Sequence, residues 1–223
     1  MQLHAVIVPP PDVVHDALEA AREMLTPAAA AEDTARRGIV DRLRGRRRVD
    51  APAAPAVTMV PAPPEAVFVR LAKFGNVTAA DATGLARAIE AQAHTWPAPL
   101  LQVSAVRVAE EPPFDVTAQL DGDADALFDI FRSVNEVAQS QRFFLDRRSF
   151  RSVLVLGSFG VPDGAPAPDA VAGAEAPHLG PRWSPSHVTL LRTSFVDGRS
   201  TFAEFARIPL ADSSAGPDRR TDV

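Results

Sequence analysis

Three stretches with helical spacing are set among short β-rich runs, and this alternation constrains the chain more than any other feature it has. The run "LHAVIVPP" (Leu3 to Pro10) is a strand stopped by prolines, and "DVVHDALEAAREML" (Asp12 to Leu25) follows it with helical periodicity. "TAADATGLARAIEAQA" (Thr78 to Ala93) begins with a threonine suited to cap a helix. "ADALFDIFRSVNEVAQSQRF" (Ala124 to Phe143) gathers Leu127, Ile130, Phe131, Val134 and Val137 on one helical face. Strand candidates fill the intervals: "AVTMVPA" with "AVFVRLAKFG", "LLQVSAVRVAEE" with "FDVTAQLDG", then "RSFRSVLVLGSFG" and a hairpin of "SHVTLLRTSF" and "STFAEFARIPL" around Asp197 and Gly198. The expected order is β-α-β-β-α-β-β-α-β-β-β. Its two helix-and-sheet halves resemble one another without a strict sequence repeat.

With 223 residues the chain can bury a substantial core, and one body over residues 1–210 is expected. Two segments interrupt the pattern. Residues 26–56 carry seven arginines between Arg36 and Arg48, flanked by proline and alanine, which reads as an insertion with one short helix around Gly38 to Leu43. It is either a solvated basic loop or a surface that grips RNA or an acidic partner. Residues 160–182 read as a Pro/Ala/Gly linker, and residues 211–223 as a disordered tail.

A net charge of −5 excludes a protein whose whole surface neutralises nucleic acid, so any RNA contact must be local. The chain has no cysteine, which removes disulfides, thiolate nucleophiles and Cys-based zinc sites. The histidines lack metal-ligand spacing, and no Gly-rich phosphate loop or G-x-S-x-G elbow occurs, so neither metal nor cofactor is expected. No stretch reaches the roughly 18 apolar residues of a membrane span, and the amino end lacks the basic head of a signal peptide. A soluble cytoplasmic protein is therefore expected. Arginine far outnumbers lysine, Lys73 being the sole lysine, a composition that fits a high-G+C bacterial genome.

One stretch, "SPSHVTLLRTSF", sets His187 and Thr189 two residues apart on a strand, so that both point the same way. An imidazole beside a hydroxyl can hold and protonate a phosphate ester. His4, on the first strand, and His15, on the first helix, read as surface or hydrogen-bonded structural residues, and His94 and His178 fall in loops.

The element order, together with "AVFVRLAKFGNVTAADATGLARAI", "FDVTAQL", "FFLDRRSFRSVLVLG" and "VTLLRTSFVDGRSTFAEFARIPL", resembles the 2H phosphoesterase superfamily, the bacterial 2'-5' RNA ligases and RNA 2',3'-cyclic phosphodiesterases. The resemblance implies an α+β, bilobal fold with two helix-covered antiparallel sheets around a central cleft. It also implies a His-x-Thr/Ser strand from each lobe, one imidazole acting as base and the other as acid, without a metal. In this chain the first such motif falls on Phe68-Val69-Arg70-Leu71, before Phe74-Gly75. The second falls on Val153-Leu154-Val155-Leu156, after the lead Arg148-Ser149-Phe150-Arg151-Ser152. Both histidines and both hydroxyls of the pattern are replaced, at Phe68, Arg70, Val153 and Val155.

Three functions follow from these residues. The first is a degenerate 2H protein, a ligand- or partner-binding module with Arg70 and Arg151 as ligand-binding candidates for RNA or a small phosphorylated molecule. The second is an active phosphodiesterase or RNA ligase that uses His187 and Thr189, with His4 or an arginine as the second group. The third is an interaction protein working through Arg36 to Arg48. By the resemblance, His187 belongs to the penultimate strand rather than to a catalytic one; a competing alignment takes "SPSHVTLLR" as the second motif.

Overall fold

The structure, a computed structural model, describes residues 1–25, 59–145, 150–159, 171–196 and 199–211. The arginine-rich segment with its expected helix over Gly38 to Leu43, the motif lead at Arg148 and Ser149, and the tail from residue 212 lie outside the described residues.

Within them the chain runs β1 (Gln2–Ile7), α1 (Pro11–Leu25), β2 (Met59–Pro61), a single 3-10 turn (Pro64–Ala66), β3 (Val69–Asn76), α2 (Ala79–Ala93), β4 (Leu101–Val108), β5 (Asp115–Gly122), α3 (Ala124–Ser140), β6 (Val153–Phe159), β7 (Glu175–Pro177), β8 (His187–Val196) and β9 (Arg199–Pro209). Two sheets result, one of four strands in the order β3-β1-β8-β9 and one of five in the order β2-β6-β5-β4-β7. All their strand pairs are antiparallel. This is the α+β, two-sheet architecture that the sequence led us to expect.

Of the expected linker over residues 160–182, residues 160–170 lie outside the described residues, and the remainder holds one strand. Glu175–Pro177 forms an edge strand that pairs with Ala105 to Arg107 of β4. A three-residue strand ending in proline carries no period, and its pairing rests on backbone groups that composition does not reveal. The other edge of this sheet, β2, is equally short and ends at Pro61. Proline at both edges limits further strand addition.

Helix positions follow from local chemistry. Thr78 caps α2 with a complete capping box: its hydroxyl accepts from Asp81 N at 3.1 Å, while the Asp81 carboxylate accepts from Thr78 N at 3.4 Å. At the head of α3, Leu100 N donates to Asp123 Oδ2 at 2.9 Å and Asp123 N donates to Leu100 O at the same distance, tying the helix to the start of β4. Gly122, at φ +108°, makes that approach possible, since an added Cβ would meet Leu100 O at 2.2 Å.

α1 turns Val13, Val14, Ala17 and Ala21 inward and packs on β4 and β6, whereas α2 packs on β9 and α3 on β3 and α2. The helix after β1 therefore serves the five-stranded sheet, and the helix after β5 serves the four-stranded one. This exchange lets one buried cluster run through both sheets, including Leu3, Leu71, Leu85, Leu127, Leu154 and Leu190. Burying each such leucine contributes about 1.5–3 kcal/mol, so the sheets are held by shared core as well as by chain connection. Among the described residues no helix is long and apolar enough to cross a membrane.

Candidate functional site: a cationic, aromatic cleft between the sheets

The faces of the sheets turned away from the helices decide what meets in the cleft. On the four-stranded sheet the register sets Lys73, His4, Leu191 and Glu204 in one row and Arg70, Val6, Thr189 and Arg207 in the next. Strict alternation from Arg70 would send Lys73 to the opposite face. A register shift, with Ala5 opposite Ala72 and Val6 opposite Arg70, restores Lys73 to the same side. A similar shift in β9 keeps Glu204 and Arg207 together, where Arg207 donates from Nε and Nη2 to Glu204 Oε2 at 3.1 and 2.6 Å.

A cleft of about 740 Å³ is lined from one sheet by Phe68, Arg70, Lys73 and Phe202, and from the other by Arg107, Thr117, Arg151, Val153 and Val155. Phe131 from α3 and Phe150 close one part of it, their rings 4.8 Å apart at centroids. Asn135 helps place Phe131, because its Nδ2 donates to Leu71 O at 3.3 Å and to Phe131 O at 2.6 Å, joining α3 to β3.

Among the described residues, four cations line this cleft, Arg70, Lys73, Arg107 and Arg151, against one carboxylate, Asp115. Arg107 is also held by Glu175 on β7, through Nε at 3.0 Å and Nη2 at 2.5 Å. Those hydrogen bonds and the attraction of the Glu175 charge raise the guanidinium pKa further above its usual range. A chain that is acidic as a whole thus concentrates positive charge between its sheets, which focuses the field on an anion.

Phe68, Arg70, Val153, Val155 and Arg151, singled out in the sequence, all line this one cleft. His187 and Thr189 do not. They line a second pocket of about 380 Å³, with Pro10, Trp183, Pro185 and Arg207 among its walls. There His187 Nδ1 shares a hydrogen bond with Ser186 Oγ at 2.6 Å, while Thr189 is buried between β1 and β9. His4 pairs with Leu191, four residues from His187, which separates the two histidines by roughly 13 Å along the strand.

The sequence did not single out Lys73, Arg107, Phe131 or Phe202 as site residues, and it misjudged His4. That histidine is 5 % exposed on the cleft side of β1 rather than at the surface. Burial first, then the charges of Arg70 and Lys73, lower its pKa from 6.5 to about 4. Its ring stands edge-on to Phe202, centroids 6.1 Å apart. The remaining histidines lie elsewhere: His15 is near Glu19 on the exposed side of α1, His94 ends α2, and His178 bonds Asp16 at 2.6 Å. Among the described residues no group of three or more His, Asp or Glu side chains could hold a metal ion.

Two antiparallel sheets around a cationic cleft define an α+β architecture, and solved structures share it. The chain has the fold of LigT from E. coli, solved with NADP+: 14% identity, 95% of this chain and 98% of that one covered, TM-score 0.62. TT0787 of Thermus thermophilus matches at 15% identity over 95% of this chain and 99% of that one, TM-score 0.62. The structure of a phosphoesterase also matches, at 14% identity over 94% of this chain and 98% of that one, TM-score 0.61. LigT has also been solved with 3'-AMP, ATP and phosphate. No protein-family model matches the sequence, and no curated protein matches it.

Proposed function

We propose that this chain is a 2H-phosphoesterase-like protein, akin to the 2'-5' RNA ligases, whose cleft binds a phosphorylated ligand without turning it over. One observation carries the proposal. The positions where the resemblance calls for two imidazoles hold Phe68 and Val153, and these line the same cleft as Arg70, Lys73, Arg107 and Arg151. Guanidinium and ammonium groups bind phosphate by charge-assisted hydrogen bonds, so recognition survives. Phenylalanine and valine hold no proton to transfer, so acid–base relay does not. Aromatic rings at Phe68, Phe131, Phe150 and Phe202 offer stacking surface to a base, which favours a nucleotide or an RNA end over bare phosphate.

An active enzyme built on His187 fits less well. His187 and Thr189 face a different pocket, and the roughly 13 Å to His4 is too long for two imidazoles to serve one phosphorus atom.

Calorimetric titration with 3'-AMP and with ATP, in the presence of chelator, tests the proposal. Saturable binding that weakens with salt is expected, and His187→Ala should leave the affinity within about twofold, since the residue lies outside the cleft. Failure of both nucleotides and of inorganic phosphate to bind would remove the proposal.

A further inference from the structure

Beneath the cleft wall, two buried polar atoms stand without a protein partner. His4 Nδ1 and Thr193 Oγ1 make no hydrogen bond among the described residues, although their side chains are on residues only 5 % and 7 % exposed. Buried polar atoms are nearly always paired, because an unmet one costs the desolvation of the group. Two on one patch of one sheet call for a common cause.

The register puts them on the same face as neighbours. His4 is opposite Leu191 and Gln2 is opposite Thr193, so His4 and Thr193 form a diagonal pair across β1 and β8, within reach of a single small group. Phe202 stands opposite Thr193 on β9, and its ring lies edge-on to both His4 and Phe68. Phe202 also lines both pockets. Its half-buried ring thus borders the cleft and packs against His4, one of the two unmet groups.

We propose that His4 and Thr193 form a neutral hydrogen-bonding subsite under Phe202, and that it takes a sugar hydroxyl of the ligand whose phosphate sits on the cleft cations. The inference rests on the phosphate-binding role proposed above. Chemistry selects the hydroxyl. A threonine hydroxyl both donates and accepts, and a neutral imidazole nitrogen does one or the other according to its tautomer. A ligand hydroxyl, itself donor and acceptor, can satisfy both at once. A phosphate oxygen only accepts, and is better served by Arg151 and Lys73. Opening the subsite needs only a rotation of the Phe202 side chain, which sits near the cleft rim on an edge strand.

The test compares inorganic phosphate with ribose 5-phosphate, by calorimetry and by the imidazole nitrogen resonances of His4. Wild type should bind ribose 5-phosphate about tenfold tighter than phosphate, a gain of the size one hydrogen-bonded pair gives. Thr193→Val should erase that gain, Thr193→Ser should restore it, and neither should alter phosphate binding. Phe202→Ala should strengthen binding of ribose 5-phosphate, which carries no base to stack on that ring. The Thr193→Val protein should fold at least as stably as wild type, since the change removes an unmet hydroxyl, so lost binding cannot be ascribed to unfolding. The His4 resonance should move with the sugar phosphate and stay in place with phosphate. Equal binding of both probes, unaffected by Thr193→Val, would overturn the subsite and leave the cleft proposal standing. Absence of binding by either probe would overturn both.

Discussion

Replacing Lys73 and Arg151 together by alanine will lower the affinity for ATP by about 100-fold while the protein stays folded, each lost charge-assisted contact being worth about a factor of ten or more. The two residues come from opposite sheets, Lys73 from β3 and Arg151 from the segment leading into β6, and both line the cleft. Under the proposed function a bound phosphate would meet both cations, and neither substitution removes core packing, because Arg151 is exposed and Lys73 only half-buried. The salt dependence should flatten in parallel, as fewer cations remain to be screened. Calorimetry at two salt concentrations reads both effects. An affinity unchanged by the double substitution would place the ligand outside this cleft.

Acid should weaken the fold through His4. Its folded pKa, about 4, lies below its ordinary 6.5 because burial and then the charges of Arg70 and Lys73 oppose protonation. The group that faces it on β9, Glu204, is already engaged by Arg207, so no free carboxylate on that strand offsets those charges. As pH falls below 6.5 the unfolded chain takes the proton first, and the folded state loses ground until about pH 4, where the loss levels off. The stability that His4 contributes is therefore fully present above pH 6.5 and declines by at most about 3 kcal/mol across that window. Urea unfolding at about pH 7.5 and about pH 4.5 should show this fall in wild type and a smaller one in His4→Phe. Equal falls in both proteins would mean that His4 meets solvent or an anion in the folded state.

Elements with a strong local signal were legible in the sequence. Thr78, suited to cap a helix, and the spacing after it announced α2, and the apolar face of "ADALFDIFRSVNEVAQ" announced α3. Strand β7 was not, because a three-residue edge strand in a Pro/Ala/Gly stretch is made by its neighbour rather than by its own residues. The site shows the same division. Arg70 beside Phe68 follows from alternation, and both line the cleft. Lys73 joins them only through a register shift, which depends on how β1 pairs with β3 and leaves no mark on β3 alone. His4 was misjudged for a related reason. Alternation shows that His4 and Val6 share a face, but only the order β3-β1-β8-β9 reveals that this face looks into the cleft and lies against Phe202. His187 and Thr189 share a face as expected, yet they line another pocket, because they lie on the stretch of β8 that pairs with the far end of β9, from Pro209 to Arg207.

The central claim is that the cleft keeps recognition and lacks the proton relay, and hydrolysis of a short RNA ending in a 2',3'-cyclic phosphate tests it most directly. With chelator present and the product followed by mass, wild-type protein that binds 3'-AMP should yield no hydrolysed RNA. Chelator-resistant turnover, abolished by His187→Ala, would contradict the claim and move the chemistry to the pocket of His187 and Thr189.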